Sequence, residues 1–327
     1  EDDADDSATE ETGETSDTGA TSENEGSYEI PLVIQDRAFH ADGSLFYPDN
    51  RGSRRSFDLE PGFGRILAAR LGVFCRRRCS YCDFSIAVRK DVPTQEFSTL
   101  VGQELGRRIE VGNPVELDTL YFGGGTPSQL GPAGVSFLVG QIQASGARLA
   151  PGAEVTLEAN PASADAARFA DYRAAGVNRV SLGVQALNDS DLKKLGRLHD
   201  VAEARAALKL AMTNFSRVSL DLIYARPDQS DAQWREELKQ ALGFGTDHLS
   251  LYQLTIEPET PYALLHRNGQ LQIPDEDIAA GLYETTQELT EGAGLPAYEI
   301  SNHARPGQES RHNLIYWRYG DYAGVGP

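Results

Sequence analysis

"CRRRCSYCDF" (residues 75–84) holds every cysteine of the 327-residue chain, at positions 75, 79 and 82. A disulfide framework uses cysteines in pairs, so an odd, tightly clustered count reads instead as metal ligation. Structural zinc takes four closed ligands, usually as two cysteine pairs. Only one short cluster exists here, and no histidine lies within twenty residues of it. A cube of four irons and four sulfides fits the count differently. Three thiolates leave one iron without a protein ligand, and that iron is free to chelate a small molecule through an amine and a carboxylate.

Away from this cluster the composition excludes more than it assigns. No run of about 18 apolar residues occurs and no secretory signal opens the chain, so the reading is a cytoplasmic protein without a membrane span. Peripheral membrane contact is left open. The net charge is -19, but residues 1–27 carry eleven Asp or Glu and no Lys or Arg, which leaves only -8 for the rest. That Ser/Thr/Asp/Glu tract cannot bury enough apolar surface to offset its ordering entropy and is expected to be disordered. A mildly acidic body argues against a nucleic-acid partner. The chain starts at Glu1 and stops at "DYAGVGP", a loop-like run that reads as a truncated C-terminus.

From Asp118 onward short β-branched runs alternate with amphipathic stretches. The runs at 117–124, 154–161, 179–185, 217–224 and 248–256 read as strands, with helical segments such as "AARFADYRAAG" and "DAQWREELKQALGFG" between them, both closed by glycine. Such alternation predicts right-handed βαβ units and an α/β fold, best fitted by a partial (β/α) barrel whose function sits at the C-terminal ends of its strands. Polar residues recur there: Gly123, Gly124, Gly125, Thr126, Glu158, Asn160, Gln185, Asp221, Thr255 and Glu257.

The CxxxCxxC spacing on a βα loop resembles the radical SAM superfamily. "YFGGGTPSQL", "LEANP", "SLGVQ", "LGRLHD", "DLIYARP" and "RHNLIYW" together resemble the group that contains oxygen-independent coproporphyrinogen III oxidase and its HemW haem-chaperone relative. The likeness runs from about Leu71 to Pro327, within a barrel spanning 66–327. It implies a [4Fe-4S] cluster on Cys75, Cys79 and Cys82, S-adenosylmethionine on the open iron, and haem. Two details point toward the chaperone side of the group. Asp83-Phe84 stands where the oxidase has a further cysteine, and "HNLIYW" (312–317) matches the HNxxYW motif of haem-binding relatives. The resemblance then implies haem and a haem-acceptor protein as partners, with an oxidase-type enzyme as the alternative and SAM cleavage left open.

Residue by residue, it assigns Tyr81 to the adenine edge through backbone groups, and Gly124, Gly125 and Thr126 to the methionyl amine. Glu158 is assigned to ribose or amine, while Gln185, Arg197 and Asp221 complete the polar wall and His312 reaches haem iron. Read alone, Arg197 in "KKLGR" suits a solvated helix face, and His312 suits a structural histidine beside a turn. The pattern departs before the cluster, where Ala69 and Leu71-Gly72-Val73 replace an aromatic and a His-Ile-Pro approach, leaving the first barrel strand doubtful. Upstream, residues 27–50 resemble a multicopper-oxidase fragment, so 28–65 reads as a β-hairpin-like remnant rather than a domain. The six histidines nonetheless include no His-x-His pair for copper.

Overall fold

The computed structural model describes residues 65–72, 74–84, 86–89, 91–108 and 115–325. The expected disordered tail at 1–27, and the expected hairpin at 28–65 apart from Arg65, lie outside them.

In chain order the elements are β1 Arg65–Gly72, β2 Phe74–Cys75, β3 Ala87–Val88, α1 Thr94–Arg108, β4 Val115–Gly124, α2 Gly131–Ala144, β5 Ala147–Ala159 and α3 Ala166–Ala174. There follow β6 Arg179–Gln185, α4 Asp189–Lys194, α5 Val201–Asn214, β7 Arg217–Tyr224, α6 Asp231–Leu242, β8 His248–Gln253, α7 Pro261–Arg267, α8 Glu276–Gly292, β9 Asn302–Ala304, α9 Arg311–Trp317 and β10 Asp321–Val325. One sheet runs β10-β1-β4-β5-β6-β7-β8-β9, and β2 with β3 forms a separate two-stranded ribbon. Every pairing in the large sheet is parallel except β8 with β9.

The alternation within each strand decides what the two faces do. In β6 and β7 the apolar set Val180, Leu182, Val184, Val218, Leu220 and Leu222 belongs to the main core, which includes Leu208 and Ala211 of α5 and Trp234 and Leu238 of α6. The intervening residues Arg179, Ser181, Arg217, Ser219 and Asp221 point the other way, because side chains alternate with period two. Continuing this face, Ser181 and Ser219 both donate to Asp221, and Ser219 meets Ser250 and His248 of β8. A curled sheet with helices outside therefore encloses a polar interior. Complete burial of six Val and Leu side chains contributes on the order of 1.5–3 kcal/mol each, which stabilises a face that carries so many polar groups.

The strands expected at 179–185 and 217–224 form at those residues. β5 starts earlier, at Ala147, and β8 stops at Gln253, so Thr255 and Glu257 lie beyond the strand, where Thr255 Oγ1 donates to Glu257 Oε1 at 2.8 Å. The first strand, doubtful from its residues, does form. β1 pairs with β4 on one side and β10 on the other, and its register shifts between Arg70 and Gly72, just before the cysteine ribbon. Backbone pairing on both edges holds it, and that signal is invisible in a local motif.

Candidate functional site

The cysteine loop leaves β2 and is fastened from three sides. Phe74 and Cys75 pair with Ala87 and Val88. Ser80 N donates to Leu195 O and Ser80 O accepts from Tyr262 N, each at 3.0 Å, tying the loop to the turn after α4 and to the start of α7. Gly196 makes the first of these contacts feasible. Its φ is +79°, and a Cβ there would stand 3.2 Å from Ser80 N and 3.4 Å from Cys79 Cα. The backbone conformation and the close approach both call for glycine.

Around the thiols, Cys75 Sγ lies 3.1 Å from Thr126 Oγ1, and Arg197 Nη1 donates toward Cys79 Sγ at 3.5 Å. Burial pushes the Cys75 thiol up and the Cys82 thiol up to about 12, each raised further by the neighbouring cysteines. Among the described residues no three His, Cys, Asp or Glu side chains are grouped to hold a single metal ion. The three thiols thus do not converge as a one-ion chelate does, and a cube taking one thiolate per iron needs no such convergence.

Beneath them, the Gly-rich end of β4 is shaped by Glu158. Its carboxylate accepts from Gly124 N at 3.1 Å and from Tyr121 Oη at 2.7 Å. Gly124 has φ +118°, and a side chain on Gly123 would stand 2.7 Å from the Tyr121 ring. Glu158 and Gly124 are thus brought together, and Thr126, two residues on from Gly124, meets Cys75. Tyr121 and Gly123 complete the arrangement; the first was missed in the sequence because an aromatic in a strand signals core before it signals function.

Arg197 is not on a solvated face. It is drawn beneath the loop, with Nη2 donating to Gly183 O at 2.6 Å, and its buried Nε has no partner. Burial opposes its charge, but the Tyr81 phenol and the Cys79 thiol beside it hold its pKa above the usual guanidinium value. Tyr81 packs among Leu195, Ile223, Leu254 and Tyr262, and burial drives its phenol well up. Gln185 sits at a register shift in β6 with φ +75°, and its amide lies over Gly183, where a Cβ would meet Nε2 at 2.8 Å. A non-glycine residue held at positive φ on a strand end is the kind of strain that ligand sites retain.

Asp221 lies deeper. It accepts from both serines of its layer, at 2.9–3.0 Å from Ser181 and 3.0 Å from Ser219. Ser219 has one proton, which goes to the acceptor-only carboxylate, so His248 Nδ1 at 2.8 Å must be the donor to Ser219. His248 is kept neutral by burial. Its Nε2 therefore accepts from Tyr298 Oη at 2.7 Å, and Tyr298 accepts in turn from Asn313 Nδ2 at 3.1 Å. The network thereby assigns the tautomer. Every proton in the series points from Asn313 toward Asp221.

His312 stands apart from the cysteine face. Its helix α9 packs at the N-terminal ends of the strands, where Glu154 accepts from the backbone N of Arg311 and of His312 and pairs with Arg217. The His312 ring stacks on Tyr121 at 4.2 Å between centroids and meets Tyr316 edge-on. Burial holds its pKa down at about 3, and its Nδ1 has no partner. The structure thus gathers Tyr81 and Arg197 with the cysteines, sets Gln185 beside the Gly183 that Arg197 binds, joins Thr126 to Cys75 and Gly124 to Glu158, and buries Asp221 in the serine layer and His312 against Tyr121.

A parallel half-barrel that offers three cysteines from the loop after its first strand, over a glycine-rich strand end, defines an iron–sulfur protein with an open cluster. The sequence profile described as "Radical SAM superfamily" matches residues 70–241. Among curated proteins the chain is 40% identical over 255 residues to the Escherichia coli protein named "Heme chaperone HemW", covering 77% of this chain and 66% of that one. It is 40% identical over 274 residues to the Mycobacterium tuberculosis protein of the same name, covering 82% and 70%. A mouse protein named "Radical S-adenosyl methionine domain-containing protein 1, mitochondrial" is 39% identical, covering 78% and 58%. The fold is that of Escherichia coli coproporphyrinogen III oxidase (HemN), with a TM-score of 0.70 at 22% identity, over 82% of this chain and 64% of that one.

The chain belongs to the radical SAM superfamily and, within it, to the family of the HemW proteins. It spans roughly three fifths to two thirds of the length of the first of these relatives. The likeness of residues 27–50 to copper oxidases is not borne out, since the family match begins at residue 70. Among the described residues no helix is long and apolar enough to cross a membrane.

Proposed function

We propose that this chain is a haem chaperone of the radical SAM type, which binds a [4Fe-4S] cluster, S-adenosylmethionine and haem and passes haem to an acceptor protein. The observation that carries the reading is the fastened loop: three thiols, no fourth, and a glycine at 196 that lets the loop lie against Arg197. Bound to Cys75, Cys79 and Cys82, the cluster supplies a low-potential electron and one open iron for an amine and a carboxylate.

The chain's own residues do the rest. Gly124 and Gly125 let backbone approach the methionyl amine, and Thr126 braces Cys75. Glu158 fixes the Gly124 amide with Oε2 and the Tyr121 hydroxyl with Oε1, which holds its carboxylate at the strand end where a ribose or amine donor is received. Tyr81 contributes backbone groups at the adenine edge, with its ring anchored in the apolar cluster. Arg197, with Nε unsatisfied, presents a fixed cation where a carboxylate would be received. Gln185 and Asp221 line the wall below. At the other end, His312 supplies the imidazole for haem iron. Its ring is clasped by Tyr121 and Tyr316, so iron ligation and undocking of α9 go together. Trp317 on the same helix reports the movement.

The test is titration of the reconstituted protein with haem, followed by Soret absorbance and Trp317 fluorescence, and then transfer to an apo-haem protein. A His312→Ala variant is expected to lose the ligand-field signature of the wild type while keeping its iron–sulfur content. Conversion of coproporphyrinogen III to protoporphyrinogen in the presence of SAM and reductant would overturn the chaperone reading in favour of the oxidase.

A further inference from the structure

Four side chains stand in a row across the floor of the barrel. In the register Tyr121 pairs with Thr156, Thr156 with Arg179 and Arg179 with Arg217, so the four share one face of β4 to β7 and turn inward together. The outer two have partners. Tyr121 Oη donates to Glu158, while Arg217 pairs with Glu154 and donates Nη2 to Gln308 O at 2.9 Å and to Glu309 O at 2.6 Å. The middle two do not. Thr156 is wholly buried and its Oγ1 is unpartnered; Arg179 is 3% exposed, and its guanidinium makes no hydrogen bond or ion pair among the described residues. The Glu154 carboxylate keeps Arg179 protonated through its field, but its bonds go to Arg217 and to the backbone N of Arg311 and His312. Two cations thus face one carboxylate at this level. Asp221, the next acid, lies further along at the level of Gly183 and accepts from Ser181 and Ser219.

A buried charge without a bonded counter-group weakens the fold that holds it. Arg217 shows what a bracing arginine does in this place, and its immediate neighbour Arg179 makes none of those bonds. What is left over is one positive charge, a fork of N–H donors and a hydroxyl beside it. The group that matches a guanidinium fork is a carboxylate. His312 closes the row from the side of α9. Its ring stacks on Tyr121, its Nδ1 has no partner, and the Arg179 charge helps to hold its pKa down, so imidazole and guanidinium stand close together behind that helix. We infer that Arg179, with Thr156, receives a carboxylate arm of the porphyrin whose iron His312 ligates, once α9 has undocked. This rests on the haem reading and adds a second point of attachment to it. The imidazole selects the metal, the guanidinium selects the acid edge of the macrocycle, and a ligand held at both points has one orientation.

Haem and haem dimethyl ester, whose carboxylates are capped, are the probes. Iron-free protoporphyrin IX and its dimethyl ester repeat the comparison while asking nothing of His312 as a ligand. Each is titrated by absorbance and Trp317 fluorescence into wild type, Arg179→Met and, in case that change disturbs the floor, Thr156→Val. Iron–sulfur content and the urea midpoint are checked in each, with Glu154→Ala beside them as a broken brace. Wild type is expected to bind each acid about tenfold more tightly than its ester, the size of one charge-assisted hydrogen bond. Arg179→Met is expected to bind acid and ester alike, at the affinity of the ester, with a urea midpoint no lower than that of wild type. Thr156→Val should narrow the preference by about threefold. Wild type that binds the ester as well as the acid overturns the proposal, as does an Arg179→Met protein that keeps the preference. A midpoint in Arg179→Met that falls as far as in Glu154→Ala makes Arg179 a brace and overturns it too. Haem bound without any His312-dependent signature removes the haem-ligation reading alone: an Arg179-dependent preference for metal-free acid over ester still supports the site, and its absence still sinks it. Wild type that takes up no porphyrin sinks both.

Discussion

The two ends of the barrel interior hold polar groups for opposite purposes. At the floor, the Glu154 carboxylate is 1% exposed and engaged by Arg217 and by the backbone of Arg311 and His312, while Arg217 reaches on to Gln308 O and Glu309 O. At the rim, Arg197 is half-buried but keeps its buried Nε without a partner, and Gln185 is held in a left-handed backbone conformation. The Glu154 carboxylate is fully engaged and braces; buried groups left without a partner, Arg197 Nε at the rim and His312 Nδ1 beside the floor, are the ones with bonding capacity to spare. The floor ties the HNLIYW helix to the strands, and the rim is where the proposed function places the ligand. The Asp221-Ser219-His248-Tyr298-Asn313 series joins the two.

Loss of any one cysteine, as in Cys79→Ser, is the change with the largest expected effect. Iron uptake on anaerobic reconstitution should fall from four per chain to a small fraction, with the fold retained, as read by iron and sulfide analysis beside circular dichroism. Next comes the floor. Glu154→Ala leaves Arg217 and two backbone amides without their acceptor and should cost about 3–5 kcal/mol in urea unfolding, because a buried pair is broken from one side. The same variant should still bind iron. If it lost the cluster first, the distinction between brace and ligand face would fail.

Acid sharpens the contrast. Burial holds His312 at about 3 and His199 and His303 at about 4, and lowers His248 as well. These folded-state values lie below the unfolded value near 6.5, so below that pH the unfolded chain binds more protons and stability falls. Each such histidine should remove up to about 1.4 kcal/mol per pH unit between roughly pH 6.5 and its folded pKa. Urea midpoints taken down this range should drop steadily, and a flat profile would contradict the neutral tautomer assigned to His248.

Two smaller changes probe each end separately. Gly196→Ala places a Cβ against Ser80 in a left-handed conformation, costing on the order of 1–3 kcal/mol. It should loosen the cluster, measured as faster iron loss to a chelator, more than it lowers the unfolding midpoint. Tyr298→Phe removes the donor to His248 and the acceptor for Asn313. Its cost should be about 1–3 kcal/mol, and its mark is a shift of the Trp317 signal with no change in iron content.

Much of the frame was readable before the fold. β6 and β7 are written plainly because Val and Leu alternate with Arg, Ser and Asp, and the period of two fixes both the strand and the face it turns inward. The cysteine spacing announced the rim. What stayed hidden depends on residues far apart in the chain. β1 carries a divergent local motif and is held by its pairing with β4 and β10. Arg197 follows "KKLG" and so looks like a surface cation, yet the turn at Gly196 swings it inward toward Cys79. Glu154 sits in a run that reads only as strand, and its importance comes from Arg217 and α9, 63 and more positions later. His312 was legible as a motif, but its clasp by Tyr121 follows from α9 packing beneath the strands, and no spacing records that.

Electron paramagnetic resonance of the reduced, reconstituted protein, taken with and without S-adenosylmethionine, reaches the core of the account most directly. A four-iron signal whose shape changes on adding S-adenosylmethionine is the predicted result, since the iron left open by Cys75, Cys79 and Cys82 acquires new ligands. A four-iron signal that stays the same, or a cluster shown to carry a fourth protein ligand, would contradict it.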